Sequence, residues 1–174
     1  MGNTVGSQNK ISLKIAKTEA AFTAGFLEGD GCISAKIGPT SGSYRVRVVI
    51  SFTQHTKNRI VLEHLQNLIG GKISDYILRQ MSELCIYDRE KVNVILLTIL
   101  PFLASKRKQA EIALKIIEIL NKDKRGKLKN SHDLLEAVKL AEEIRALNSN
   151  RKNKTVHTFD KVFSRLKDKN ILTP

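Results

Sequence analysis

The sequence predicts an α+β domain in which helices cover one face of a four-stranded antiparallel sheet. The element order is α-β-β-α-β-β-α, with further helices at the C-terminal end. Three observations lead to this class. Two early stretches alternate apolar and polar residues around a turn cluster. A helical stretch ending in two glycines separates them from a second pair of strand-like runs. The rest of the chain carries apolar residues at helical spacing. Two hairpins joined by a helix give one sheet, whose apolar side takes the helices and whose other side stays open. A chain of 174 residues, 41% of them apolar, suits one such domain with a real core. Residues 1–17 read as a flexible N-terminal segment and residues 18–170 as the single domain, C-terminal helices included.

Thr18 is placed to cap the opening helix, with Glu19 in its first turn and Ala20, Ala21, Phe22, Ala24, Phe26 and Leu27 as its apolar residues. Ala21 and Gly25 are four apart, as are Ala20 and Ala24. That spacing lines small residues along a helix face, where another backbone can come close. Gly29 and Gly31 end the helix and hold Asp30 between them. In the strand that follows, Ile33, Ala35 and Ile37 face one way and Cys32, Ser34 and Lys36 the other. After a turn cluster at residues 38–43, Val46, Val48, Ile50 and Phe52 point inward while Arg45, Arg47, Val49 and Ser51 point outward. The next helix spans about residues 56–68 and stops at Gly70-Gly71. Residues 72–78 and 84–87 form the second hairpin, with its turn near residues 80–83. Helical segments follow at residues 88–103, interrupted by Pro101, at 110–120, and at 132–147, capped by Ser131. A last amphipathic helix uses Val162, Phe163 and Leu166. The stretches at 121–130 and 148–155 read as polar, basic loops.

Net charge is +13, from 30 Lys and Arg against 17 Asp and Glu. Such an excess favours a polyanion partner, most often nucleic acid, although a membrane-surface or ribosome-associated protein shares it. Lys36, Arg45, Arg47 and Lys72 fall on the open face, and a twisted sheet with a basic face can lie along a DNA major groove. No apolar run reaches membrane-spanning length and the polar start is no signal peptide, so an intracellular protein without a membrane partner is expected. Cys32 and Cys85 and the four histidines form no disulfide framework and no metal-ligand spacing. No Asp or Glu is followed two positions later by Lys, which excludes one common nuclease core.

The stretch Thr23-Ala24-Gly25-Phe26-Leu27-Glu28-Gly29-Asp30-Gly31 resembles the LAGLIDADG motif of homing endonucleases. It matches at Ala24, Gly25, Asp30 and Gly31, carries Leu27 and Glu28 as close replacements, and departs at Thr23, where Leu is usual. Residues 52–57 and 101–110 resemble two further stretches of the small, single-motif, homodimeric, intron-encoded members, and the element order matches over residues 18–165. The resemblance implies that fold, with a saddle-shaped sheet. It also implies a divalent-metal-dependent enzyme that makes a double-strand break in a long pseudo-palindromic DNA target, with no small-molecule substrate. Mg²⁺ would be the cofactor, with Mn²⁺ or Ca²⁺ able to take the same sites. It further implies that Asp30 and the Gly29 carbonyl are metal ligands, with Gln54 and Lys106 as catalytic companions, and that Glu28 is structural. An arginine common in the family is absent at Asn58, and Lys57 or Arg59 is left to supply its charge. Ala21, Ala24 and Gly25 would form a twofold helix crossing, unless Ala24 and Gly25 pack within the same chain.

Base reading is expected from outward strand residues: Lys36, Arg45, Arg47 and Ser51 on the first hairpin, and Lys72, Ser74, Tyr76, Glu83, Cys85 and Tyr87 on the second. For each, a phosphate or purely solvent-facing role competes. Arg151 and Lys154 lie in a basic loop that resembles the family's C-terminal phosphate-contacting loop. The competing functions are a non-cleaving nucleic-acid binder or RNA maturase of the same fold, and a basic ribosome-associated protein. The family occurs in organelles and microbes, which leaves an organelle and a microbial cytoplasm both open.

Overall fold

The computed structural model describes residues 15–40, 43–122, 130–148 and 157–168. Helix α1 (Lys17–Asp30) runs into β1 (Gly31–Pro39) and β2 (Tyr44–His55), followed by α2 (Arg59–Ile69), β3 (Lys72–Tyr76) and β4 (Met81–Ile86). The chain continues through α3 (Arg89–Ile99), α4 (Arg107–Asn121), α5 (Ser131–Asn148) and α6 (Phe159–Asp168). The strands form one antiparallel sheet in the order β1-β2-β4-β3.

The alternation in sequence becomes a two-faced sheet through its register. Ile33 pairs with Ile50, Ala35 with Val48 and Ile37 with Val46, so the inner face of the first hairpin is apolar throughout. Phe52 continues that face across the sheet to Leu84 and Ile73. Onto it pack Ala24 and Leu27 of α1, Leu62 and Leu65 of α2, and Ile95, Leu96 and Ile99 of α3. Helices α4 and α5 cover β1, and α6 packs on α5. Burying each Leu, Ile or Phe of this layer stabilises the fold by about 1.5–3 kcal/mol.

Several element ends differ from the sequence expectation. The start of α1 is held by Glu19, whose carboxylate accepts the Ala16 N–H at 2.8 Å; Thr18 is exposed and caps nothing. The hydroxyl of Thr23, buried where the family motif has Leu, donates to the Glu19 carbonyl at 2.8 Å. Residues 77–79 are not strand but a single 3₁₀ turn, closed by Gln80 at φ 51°, so β4 begins at Met81. Pro101 divides the helix expected at 88–103 into α3, capped by Asp88, and a 3₁₀ turn at Leu100–Phe102. Asn130, rather than Ser131, supplies the side-chain acceptor at the start of α5, taking the His132 N–H at 2.9 Å.

Gly31 joins α1 to β1 at φ −109°, a conformation open to any residue. Space is what requires glycine there. A Cβ would stand 2.5 Å from Leu27 Cδ1 and 2.7 Å from Leu27 Cα, and the latter is backbone that cannot turn away. Gly31→Ala should therefore lower stability by about 1–3 kcal/mol in urea unfolding, the usual cost of overpacking.

Candidate active site

Two helix ends of opposite polarity meet at the end of the motif. The last turn of α1 presents unpaired carbonyls, and the first turn of α4 presents unpaired N–H groups. Each helix supplies the charge that the other needs. The Glu28 carboxylate accepts the backbone N–H groups of Ala104, Ser105 and Lys106, each at 3.0 Å, and the Ser105 hydroxyl. In return, Lys106 Nζ donates to the Leu27 carbonyl at 2.8 Å and the Glu28 carbonyl at 2.6 Å. Burial opposes charge on Glu28. The Ser105 hydroxyl and the three N–H groups outweigh it and bring its pKa down to about 2.

Gly29 and Asp30 are left exposed just past this clamp. Gln54, at the end of β2, donates from Nε2 to Asp30 Oδ2 at 2.5 Å. Its Oε1 accepts from Asn58 Nδ2 at 3.4 Å. Asp30 and Gln54 are thus in direct contact, while Lys106 reaches the carbonyl of the residue before Gly29. The contact of Asn58 with Gln54 is new. No periodicity points to it, because the two residues flank a strand end and a 3₁₀ turn (Thr56–Asn58) rather than sharing a helix. Arg59 is engaged by other carboxylates. Its Nε donates to Asp75 at 3.2 Å and its Nη1 to Glu63. The buried Ser82 hydroxyl donates to the same Asp75 at 2.6 Å and, with Arg59, keeps that carboxyl below its ordinary range.

The open face of the sheet gathers the outward residues in rows. Lys36 pairs with Arg47, Ser51 with Cys85 and Cys85 with Lys72, and Glu83 with Ser74. Lys36, Arg45, Arg47, Lys72, Ser74, Tyr76 and Tyr87 are exposed, and Ser51 and Glu83 partly so. Tyr76 donates its hydroxyl to Glu83 at 3.1 Å. Cys85 lies in its expected row but is buried, so it presents little surface to a ligand. Its hydrogen bond with Tyr87, together with burial, pushes the tyrosine up to about 12. Arg45, Arg47, Tyr87 and Arg89 line an open groove of about 230 Å³ at the end of the sheet away from Asp30. The same face holds Thr53, His55 and Met81, which the sequence reading did not single out because it ended the strand at Phe52 and began the next at Leu84. Arg151 and Lys154 fall outside the described residues.

On α1, Ala21 and Gly25 are exposed in line with Gly29, and a Cβ at either glycine would meet nothing within 4 Å. Ala24 is 0% exposed in the chain's own core, against the expectation that it joins an outward small-residue face. Ala20 and Ala24 point inward, and the outward pair is Ala21 and Gly25. Among the described residues, no three His, Cys, Asp or Glu side chains gather as a metal cluster, and no helix is long and apolar enough to cross a membrane.

Residues 23–111, which include the motif, Gln54 and Lys106, match the model of the LAGLIDADG endonuclease family, and the chain belongs to that family. It is similar to two DNA endonucleases. I-CreI of Chlamydomonas reinhardtii is 32% identical over 175 residues, covering 94% of this chain and 100% of that one. I-CvuI of Chlorella vulgaris is 33% identical over 138 residues, covering 76% and 81%. The crystal structure of I-CvuI with its DNA target in the presence of calcium superimposes with a TM-score of 0.80 at 29% identity, over 90% of this chain and 98% of that one.

Glu28 has its pKa lowered by folding, so its contribution to stability is full above the ordinary carboxylate range, near 4.5, and fades as pH falls toward about 2. Thermal melts should show this acid-limb loss in the wild-type chain. Glu28→Gln should melt lower at neutral pH and lose less between pH 4.5 and 2.

Proposed function

We propose that this chain is a site-specific DNA endonuclease. Two copies together cut both strands of a long, pseudo-palindromic target by metal-assisted hydrolysis, in service of intron homing. The contact between Asp30 and Gln54 carries this reading, placed beside Lys106 at one end of a basic, open sheet in a chain of this family.

The residues at the helix end fit a hard divalent cation. Asp30 is an exposed carboxylate that needs no protein partner to fill its remaining lone pairs, and the neighbouring Gly29 carbonyl makes the donor set all oxygen. A single protein carboxylate suits Mg²⁺, with Ca²⁺ or Mn²⁺ as substitutes, since DNA phosphate and water complete such a shell. When bound, the cation supplies activation of the attacking water and charge neutralisation at phosphorus. Gln54 fixes the orientation of the Asp30 carboxylate. Asn58 in turn holds the Gln54 amide with its NH₂ toward Asp30. Lys106 pins the last carbonyls of α1 and puts a positive charge beside the place where negative charge grows on the phosphoryl group.

Arg47 and Arg45 lie about 23–30 Å along β2 from Gln54, the length of roughly seven to nine base pairs. Each copy would therefore read bases well away from the bond it cuts, and two copies would span roughly two turns of DNA. The outward stripe of Ala21, Gly25 and Gly29 gives a second α1 room to cross on a twofold axis.

Selection of cut products from a randomised duplex library in Mg²⁺ should enrich one long, near-symmetric site. Asp30→Asn should bind that site and leave it uncut; a wild type that enriches nothing, or a mutant that cuts as well, defeats the metal-site reading. Asn58→Ala should lower the cleavage rate about 10–100-fold with little change in binding, the usual effect of losing a group that orients a metal's neighbour. Gly25→Leu should turn a dimer into a monomer by sedimentation, with monomer stability unchanged or raised by up to about 1 kcal/mol, since glycine is a poor helix former.

A further inference from the structure

Among the described residues, the two most exposed large apolar side chains lie side by side at the tip of the second hairpin. Leu78 is 102% exposed and Ile77 is 86% exposed. They belong to the 3₁₀ turn Ile77–Arg79 between β3 and β4. Among the described residues nothing covers them, yet the turn is firmly held. Gln80, at φ 51°, closes it by donating its N–H to the Ile77 carbonyl at 3.0 Å. The Gln80 carbonyl accepts the Thr56 N–H at 2.9 Å. Its side chain Oε1 lies 3.3 Å from His55 Nε2, and His55 Nδ1 accepts from the Lys57 N–H, which leaves the ring proton on Nε2 to reach Gln80. Thr56 and His55 directly follow Gln54. The tip is therefore anchored at the end of the sheet where Asp30 sits, and not at the end where Arg45 and Arg47 lie.

We infer that Ile77 and Leu78 form an apolar reading tip, which contacts the 5-methyl groups of thymines in the major groove close to the cut bonds. This rests on the endonuclease reading for the presence of DNA on the open face. Three observations favour DNA as the occupant. The tip continues the open face through Tyr76 and Met81, which pair across β3 and β4. Arg79 stands beside the apolar pair in the same turn, next to where phosphates would pass, in a chain of net charge +13. A two-stranded ribbon is a shape that the major groove admits, and the thymine methyl is the one apolar feature that a base pair shows there. Isoleucine and leucine cannot read a base by hydrogen bonds, so this contact distinguishes thymine from cytosine by its methyl alone.

The test is a binding selection from a randomised duplex library in Ca²⁺, followed by replacement of single thymines in the selected site with deoxyuridine, which removes only the methyl. With the wild-type chain, one or two thymines near the centre of the site should each lose about 3–4-fold in affinity on replacement, the worth of one buried methyl. With Ile77→Ser/Leu78→Ser, or with Leu78→Ser alone, that loss should vanish while sensitivity at outer positions persists. Both side chains are exposed, and melting temperatures should not move. Equal deoxyuridine sensitivity in variant and wild type overturns the inference, as does a selected site with no thymine near its centre. A variant that changes the sedimentation of the free protein instead assigns the tip to a second copy of the chain and also overturns it. If the wild type binds a selected site in Ca²⁺ but leaves it intact in Mg²⁺, the endonuclease reading fails while the tip is still judged by the methyl test; no selected site at all defeats both.

Discussion

The crossed pairing of Glu28 with the start of α4, and of Lys106 with the end of α1, is the constraint on which the rest of the site depends. A helix end leaves backbone groups unpaired, and here each end is satisfied by a charged side chain from the other helix. The signs agree with both helix dipoles: a carboxylate at an N-terminus and an ammonium at a C-terminus. The pairing stops α1 at a defined place, and Gly31, pressed against the Leu27 backbone, sends the chain directly into β1. Asp30 therefore has almost no freedom relative to the sheet. An acidic residue two positions before the exposed aspartate is the fastening, and the aspartate is what it fastens.

Gln54 ties this helix end to the sheet. It belongs by alternation to the inner face of β2, but it lies past Phe52, where the apolar layer has ended and the end of α1 takes the space. A polar residue is tolerated there because it has a carboxylate and an amide to bond. Asn58 is neutral and Arg59 is paired with Glu63 and Asp75, so neither offers a free guanidinium to Asp30. The groove lined by Arg45, Arg47 and Arg89 lies at the far end of the sheet. On the proposed reading, holding DNA and cutting it are separated along one strand, by about the length of two-thirds of a helical turn or more.

Much of this was legible in the sequence, for identifiable reasons. The first hairpin was readable because its apolar residues are one another's cross-strand neighbours, so the pattern and the burial have one cause. Asp30 was readable because two glycines framed it at the end of an apolar helix. The second hairpin was legible but its strand ends and turn were not, because Tyr76, Ile77 and Leu78 are apolar without being buried, and alternation assumes that apolar residues seek the core. The partners of Glu28 lie more than seventy residues away, at a separation of 76 to Ala104, and no local rule reports such a contact. Small residues at spacing four could not decide between two faces of α1. Ala20 and Ala24 let the helix approach its own sheet, whereas Ala21 and Gly25 keep the opposite side low.

That last ambiguity carries the logic of the proposed two-copy assembly. With Asp30 as the proposed metal ligand, one chain offers one such carboxylate, and cutting both strands of a duplex calls for two. Asp30 lies on the same helix as the outward stripe, a turn beyond Gly25. Where two such helices cross at their small residues, the distance between the two carboxylates is set by the helix separation, which is about 8–10 Å for ordinary packing and lower when the facing residues are small. The spacing of the two sites then depends on Ala21 and Gly25 and not on the sheets. In the proposed dimer, residues on the open face set the sequence read, and the helix pair sets the geometry of the two cuts.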